Sequence, residues 1–247
     1  MNRGQIVFEV SRSLGLDDTA STDELTLMQR WINRGIVDIL MKTRCYMDLG
    51  TMTLTANVTD YRIDSNILVM NQVTVPDLLG NPQELDVINM NDILPYLSNV
   101  IVDPTAPKYA AIEGTFMRVA PAPTSAVVLT YLFVPKPTEI TADGTTGSDN
   151  IDPSNSTYGG IPTEYHDAIV DFVLWQAAQY DDKGGGFYRG HAFAPGSAYQ
   201  QVYQGRIDEI KKEHRRKAGR GMHAGRIGYP TSGHYPRRND VYPSYDR

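Results

Sequence analysis

Four side chains that could bind a metal or move a proton lie close together in the sequence: Glu164, His166, Asp167 and Asp171. Imidazole and carboxylate groups support metal-assisted hydrolysis when they converge on one point. On a helix, however, His166 and Asp167 would point about 100° apart, so they cannot easily bind one metal. Asp171 shares a face with Asp167, but Val170 stands where a ligand paired with His166 would be. We predict no catalytic residue, metal site or cofactor, and keep a hydrolase using His166 and Asp171 as an alternative.

The same residues are typical of the start of a buried helix, predicted over 163–181. Glu164 and Asp167 would complement the positive end of the helix dipole, with Thr163 or Glu164 near the cap. The helix that follows is apolar on nearly all sides, which indicates burial all round. We expect it to contact both its own core and a neighbouring subunit. The residues predicted for this packing role are Tyr165, Ile169, Phe172, Val173 and Trp175.

Three more helices are predicted, over 5–14, 21–44 and 197–217. The second has the clearest signals, because Ser21 and Glu24 have the spacing of a capping box. Gly35, in the middle of that helix, predicts close packing against a neighbouring element. Its apolar residues recur every three or four positions, as on one face of a helix. They are Leu25, Met28, Ile32, Ile36 and Ile39.

A β region is predicted over 47–135, because apolar and polar residues alternate there and Gly and Pro separate the runs. The spacing favours an antiparallel sheet or small sandwich over parallel units. Residues 141–160 are mostly Thr, Ser, Asp, Asn and Gly, which predicts a flexible loop without an apolar face. The predicted fold class is therefore α+β. A bundle of N- and C-terminal helices carries an inserted antiparallel sheet, and the body spans 1–217.

Composition and charge limit the classes of function. The 247 residues are 41% hydrophobic and 21% charged, as in a folded protein. The apolar runs are shorter than the roughly 18 residues that a membrane span needs, and the first residues do not predict a secretory signal. Cys45 is the single cysteine, which excludes an intrachain disulfide and indicates a reducing compartment. The sequence has neither a phosphate-binding loop nor a nucleophile elbow.

The C-terminal segment differs from the rest of the chain in charge. Residues 205–247 hold 11 Lys and Arg against 5 Asp and Glu, whereas the other 204 residues hold 12 against 24. Such interleaved cations and tyrosines occur in arms that bind single-stranded nucleic acid, in arms that fold on an acidic protein, and in solvated tails. Because the body is acidic, we favour a protein partner for the basic arm at 218–247 and the helix end before it. The predicted contact residues are Arg215, Arg216, Lys217, Arg220, Arg226, Tyr229, Tyr235, Arg237, Arg238, Tyr242 and Tyr245.

The order of these features resembles the head-to-tail adaptor (connector) proteins of tailed bacteriophages. The likeness covers most of residues 21–216, whereas the loop at 141–160 and the arm are longer than in the family pattern. The matching stretches are Trp31-Ile32-Asn33, Tyr61-Arg62-Ile63-Asp64, Pro107-Lys108-Tyr109, Arg118-Val119-Ala120-Pro121-Ala122-Pro123 and Ile161-Pro162-Thr163-Glu164-Tyr165-His166-Asp167-Ala168, followed by the charged last helix.

The resemblance implies a structural protein of the virion neck, assembled in the host cytoplasm. Such proteins form a homo-oligomeric ring, commonly of about twelve copies, docked beneath the portal protein. The ring extends the DNA channel, presents a platform for a tail or terminator protein, and involves no membrane. In the family the C-terminal helix and tail reach the portal, a role we expect for the basic arm here. A different tail-completion or terminator protein is the alternative within the same biology.

Overall fold

The computed structural model of the protein describes residues 1–16, 21–77, 80–97, 107–141, 148–182 and 196–224. Their helices and strands confirm the α+β fold, with helices at both ends of the chain and strands between them. The helices are α1 (Arg3–Ser13), α2 (Thr22–Thr43), α3 (Leu94–Leu97), α4 (Asp167–Asp182) and α5 (Gly196–Ala224). The strands are β1 (Asp48–Leu54), β2 (Asp60–Arg62), β3 (Ile67–Pro76), β4 (Pro82–Glu84), β5 (Asp86–Ile88), β6 (Tyr109–Glu113), β7 (Phe116–Ala120) and β8 (Val127–Pro135).

Helix α2 forms as its sequence predicts. The Ser21 hydroxyl accepts a hydrogen bond from the Glu24 N–H at 3.3 Å, and the Glu24 carboxylate accepts one from the Ser21 N–H at 2.6 Å, so the capping box is confirmed. The helix ends at Arg44, whose backbone is left-handed with φ 53°. A Cβ on Gly35 would lie 2.9 Å from Phe172 Cδ1, which confirms the close packing expected at that glycine.

The helical core is built around α4. This helix packs against α1, α2 and α5, and its apolar residues are therefore covered on several sides. Ile140 and Ile161, on either side of the segment before α4, are buried in the same cluster. Among the described residues, no helix combines the length and apolarity that crossing a membrane requires.

The strands form two four-stranded sheets. The first has the order β1-β8-β3-β4 and is antiparallel throughout, whereas the second has the order β2-β7-β6-β5. The pairing of β5 with β6 is parallel, so the antiparallel prediction fails for this one pair. Leu129 of the first sheet and Met117 of the second belong to one buried cluster, so the sheets pack as a sandwich. Val134, near the end of β8, reaches the helical core instead.

The segment before α4 differs from its prediction. Residues 148–160 do bury apolar groups: Pro153 is buried, and Ile151 and Tyr158 pack on the helical core. The backbone is also tied to its surroundings, because the Arg3 N–H donates to the Ile151 carbonyl at 2.7 Å. The expectation of no apolar face over 141–160 is therefore wrong for this part, since a few apolar residues among many polar ones suffice for packing.

Two predicted helix boundaries also shift. The helix expected to begin at 163 starts at Asp167, because Pro162 directs residues Thr163–Tyr165 into a 3-10 turn first. The last helix, expected over 197–217, continues to Ala224 and crosses the predicted boundary between body and arm.

Candidate protein-interaction surfaces

The His166 side chain is fully buried and holds two parts of the chain together. The Met1 ammonium donates to its Nδ1 at 2.7 Å, so Nε2 carries the ring proton and donates to the Ile161 carbonyl at 3.1 Å. Burial lowers the pKa of His166 below its ordinary value of 6.5, and the neighbouring ammonium lowers it further. The imidazole is therefore neutral and engaged at both nitrogens, which suits a structural link.

The acidic residues predicted beside His166, which are Glu164, Asp167 and Asp171, do not join it in one site. Asp171 faces Arg206 of α5, with 3.3 Å between Oδ2 and Nε. Burial raises the pKa of the Asp171 carboxyl, and the Arg206 guanidinium opposes that shift. Glu164 and Asp167 are exposed. No group of three or more His, Cys, Asp or Glu side chains in the part of the chain that the structure describes is arranged to hold a metal ion.

The residues predicted for subunit packing lie in the protein's own helical core. Tyr165, Ile169, Phe172 and Val173 are buried there, and Trp175 is half-buried at its edge. The α1, α2 and α5 helices thus account for the all-round apolarity of α4 within a single chain. Contact of this helix with a neighbouring subunit stays a prediction.

An aromatic cluster joins α4 to α5. Trp175 stacks on Tyr203 with ring centroids 5.7 Å apart and an interplanar angle of 19°. Phe172 meets the same two rings edge-on, at 5.5 Å from Trp175 and 5.3 Å from Tyr203. The cluster fixes α5 on α4 over the first part of its length.

A polar link that no sequence pattern predicts joins α5 to α2. The Tyr203 hydroxyl donates to the Asp38 carboxylate, which also pairs with the Lys42 ammonium at 2.7 Å. Burial, and then the bond to Asp38, raises the pKa of Tyr203. The spacing of four between Asp38 and Lys42 is readable as a helical ion pair, but the contact with Tyr203 spans 165 residues of chain.

The predicted arm residues are only partly within the described chain. Arg215 and Arg216 are exposed on α5, after the buried positions Tyr203, Ile207 and Ile210. The backbone at Lys217 and Arg220 belongs to the last turns of α5. The remaining predicted contacts lie outside the described residues: Arg226, Tyr229, Tyr235, Arg237, Arg238, Tyr242 and Tyr245.

The last helix is therefore anchored at its start and basic at its far end. At a rise of 1.5 Å per residue, the stretch 211–224 adds about 20 Å of helix beyond Ile210, the last buried residue among the side chains of α5 that the structure describes. A helix of this kind can present cationic side chains to another molecule while its first half stays fixed in the core.

Comparison with known proteins gives matches to a family and to solved structures. Residues 1–226 match the model of the SU10 adaptor protein family. A chain from a solved structure, the neck of an empty GTA particle computed with C6 symmetry, is 12% identical. The match covers 82% of this chain and 91% of that one with a TM-score of 0.23, a value too low to support any conclusion. Comparison with curated proteins finds no match.

The family match includes the whole helical core, the sandwich and all of α5. It therefore covers each element on which the likeness to phage adaptors was based. The protein belongs to the SU10 adaptor family and is a head-to-tail adaptor protein of the phage type.

Proposed function

We propose that this adaptor forms an oligomeric ring that connects the capsid portal to the tail and extends the DNA channel. The observation that carries the proposal is the family match over residues 1–226. The ring, of about twelve copies, is homo-oligomeric and closes by head-to-tail contacts between identical subunits. It sits in the virion neck, after assembly in the host cytoplasm, and its far side receives a tail or terminator protein.

The basic C-terminal arm docks on the portal in this proposal. Support comes from α5, whose first half is fixed by the aromatic cluster at Phe172, Trp175 and Tyr203 while Arg215 and Arg216 are exposed. The acidic remainder of the chain suits a channel through which duplex DNA must slide without adhering, because like charges repel. The protein acts without catalysis: His166 and Asp171 serve separate structural contacts.

Two truncations test the arm. Removing 225–247 leaves α5 whole, and removing 218–247 also takes the last turns of the helix. We expect both proteins to keep the circular dichroism spectrum of a folded α+β domain and to lose docking on portal-bearing capsids that lack tails. Undiminished docking by both would overturn the role of the arm.

The ring and its neighbours need separate measurements. Electron microscopy of the full-length protein on portal-bearing capsids counts the subunits and shows the channel. Pull-downs against purified portal and purified tail-tube protein separate an adaptor from a terminator. Capture by the tail tube alone would favour a tail-completion protein, and a monomer on every capsid would refute the ring.

A further inference from the structure

A groove lies where the end of α2, the first sheet and the basic stretch of α5 meet. Its volume is about 560 Å³. Lys42 and Arg44 line it from the end of α2, Lys211 and Arg215 line it from α5, and Glu84 is the acidic residue among its lining side chains. The groove is therefore strongly cationic, although the chain as a whole carries a net charge of −6.

Three of these four cations have no carboxylate partner among the residues that the structure describes. Lys42 is engaged, because its ammonium pairs with Asp38 and lies 5.2 Å from the centre of the Tyr203 ring. By contrast, within the described residues no carboxylate oxygen lies within 4.0 Å of Arg44, Lys211 or Arg215. Three positive charges facing one groove repel each other, so an anion placed between them would be held by all three.

The backbone conformation of Arg44 also supports an anion-binding role for the groove. Its φ of 53° is in the left-handed region, which glycine or asparagine adopts at lower cost than arginine. The helix dipole explains a cation at the end of α2, but a cation one residue earlier or later would serve the dipole equally. Arginine occupies this strained position, and its side chain is among those that line the groove.

The remaining lining residues distinguish an acidic peptide from a nucleic acid as the anion that binds. Met41, which is half exposed, lines the groove together with Met47 and Leu132, so part of the lining is apolar and adaptable. The side-chain Oδ1 atom of Asn71, another lining residue, is buried and has no hydrogen-bond donor among the described residues. A peptide supplies apolar side chains and N–H donors together with carboxylates, whereas a phosphodiester backbone supplies neither of the first two.

We propose that this groove binds an acidic protein segment that also carries apolar side chains. The identity of the partner rests on the proposed function: the segment belongs to one of the neighbouring virion proteins that the adaptor joins. Carboxylates of the segment sit between Arg44, Lys211 and Arg215, and its apolar side chains cover Met41 and Met47. The contact begins within the folded body and continues into the basic arm.

Charge reversal on one helix provides a matched test. Lys211→Glu reverses one groove charge, whereas Lys212→Glu makes the same change one residue along, on an exposed side chain outside the groove. The probes are a short labelled peptide of alternating Glu and Leu, the same peptide with Gln for Glu, and a short DNA duplex. Fluorescence anisotropy with the full-length protein gives each dissociation constant.

We expect the Glu peptide to bind more tightly than the Gln peptide. The groove variant should weaken Glu-peptide binding at least about tenfold, and the control variant less than about twofold. Equal weakening by both variants, or no preference for the Glu peptide, would overturn the proposal. So would DNA that binds more tightly than the peptide and is lost in the groove variant. The peptide measurement needs neither a ring nor a portal. A negative result for ring formation or portal docking would therefore not change the measured peptide affinity, and the two proposals are tested independently.

Discussion

The helical layer and the β-sandwich differ in the kinds of side chain that form their cores. Every side chain of a polar or charged residue that is buried in the described chain belongs to the helical layer: Arg3, Gln29, Thr43 and His166. The cluster between the sheets is built from apolar residues such as Leu54, Val73, Met117 and Leu129. The core of the sandwich is therefore apolar and tolerates change, whereas the core of the helical layer also depends on specific polar partners.

The polar partners fix how the chain returns from the sandwich to the helices. Asn33 of α2 makes a pair of hydrogen bonds with the backbone of Ile140, donating to its carbonyl at 2.9 Å and accepting from its N–H at 3.0 Å. Gln29 donates to the same carbonyl and accepts from Arg3, which also pairs with Asp149. These bonds tie α1, α2 and the segment before α4 in one arrangement.

The largest expected difference is in the free energy of unfolding that is lost when one phenylalanine in each region is replaced by alanine. Phe172→Ala empties a place in the helical core where the ring is 6% exposed, and should lower the free energy of unfolding by about 3–5 kcal/mol. Phe116→Ala removes a ring of β7 that is 54% exposed, and should cost less than about 1 kcal/mol, mostly its contact with Arg62. Urea denaturation of both proteins measures the difference. Equal losses would show that the buried Phe172 ring contributes no more to stability than the exposed Phe116 ring.

The regular elements were predictable because their signals are local. The capping box at Ser21 and the apolar face of α2 predicted that helix, and alternation with turn residues predicted the β region. Strands β4 and β5 have three residues each, too few to show a period of two by themselves. Their pairing, including the parallel pair with β6, is decided by tertiary contacts alone.

The candidate surfaces were less predictable, because their contacts join distant parts of the sequence. The groove combines the end of α2 with Lys211 and Arg215, and neither stretch alone indicates a concave cationic surface. The bond between Tyr203 and Asp38 is equally remote. The all-round apolarity of α4 correctly predicted that the helix is buried. Sequence alone, however, does not separate burial inside the chain from burial against a neighbouring subunit.

A second comparison uses Gly35 and Gly50, two glycines whose missing Cβ faces an aromatic ring. In Gly35→Ala the new Cβ would meet Phe172 close to the base of its side chain, at Cδ1, Cγ and Cβ, within a closed core. In Gly50→Ala the new Cβ would meet only the outer edge of the Tyr131 ring, which can turn towards solvent.

We expect Gly35→Ala to lower the free energy of unfolding by about 1–2 kcal/mol, since overpacking outweighs the gain in helix propensity. Gly50→Ala should cost less than about 1 kcal/mol. Thermal unfolding followed by circular dichroism compares them. Adding Phe172→Leu to Gly35→Ala should recover part of the loss, and a double variant no more stable than the sum of its parts would argue against this contact.

The smallest expected difference between the helical layer and the sandwich is in how their stability depends on pH. The pKa of His166 is lowered in the folded protein, chiefly by burial, so below its ordinary value of 6.5 the unfolded chain binds a proton that the folded chain refuses. The helical layer should therefore lose stability as the pH falls through 6.5 towards the folded pKa. One proton gives a slope of at most about 1.4 kcal/mol per pH unit.

The exposed ion pair of the second sheet responds at a lower pH. The pKa of Asp60 is lowered by its hydrogen bond to Arg118, so this pair contributes stability above the ordinary value of 3.8 and loses it as the pH falls through the folded pKa. Between pH 7 and 5.5, His166→Gln should flatten the dependence of unfolding free energy on pH, and Asp60→Asn should leave it unchanged. If His166→Gln keeps the wild-type slope, the imidazole already binds its proton in the folded state. The polar links of the helical layer would then be as insensitive to acid as the sandwich is over this range.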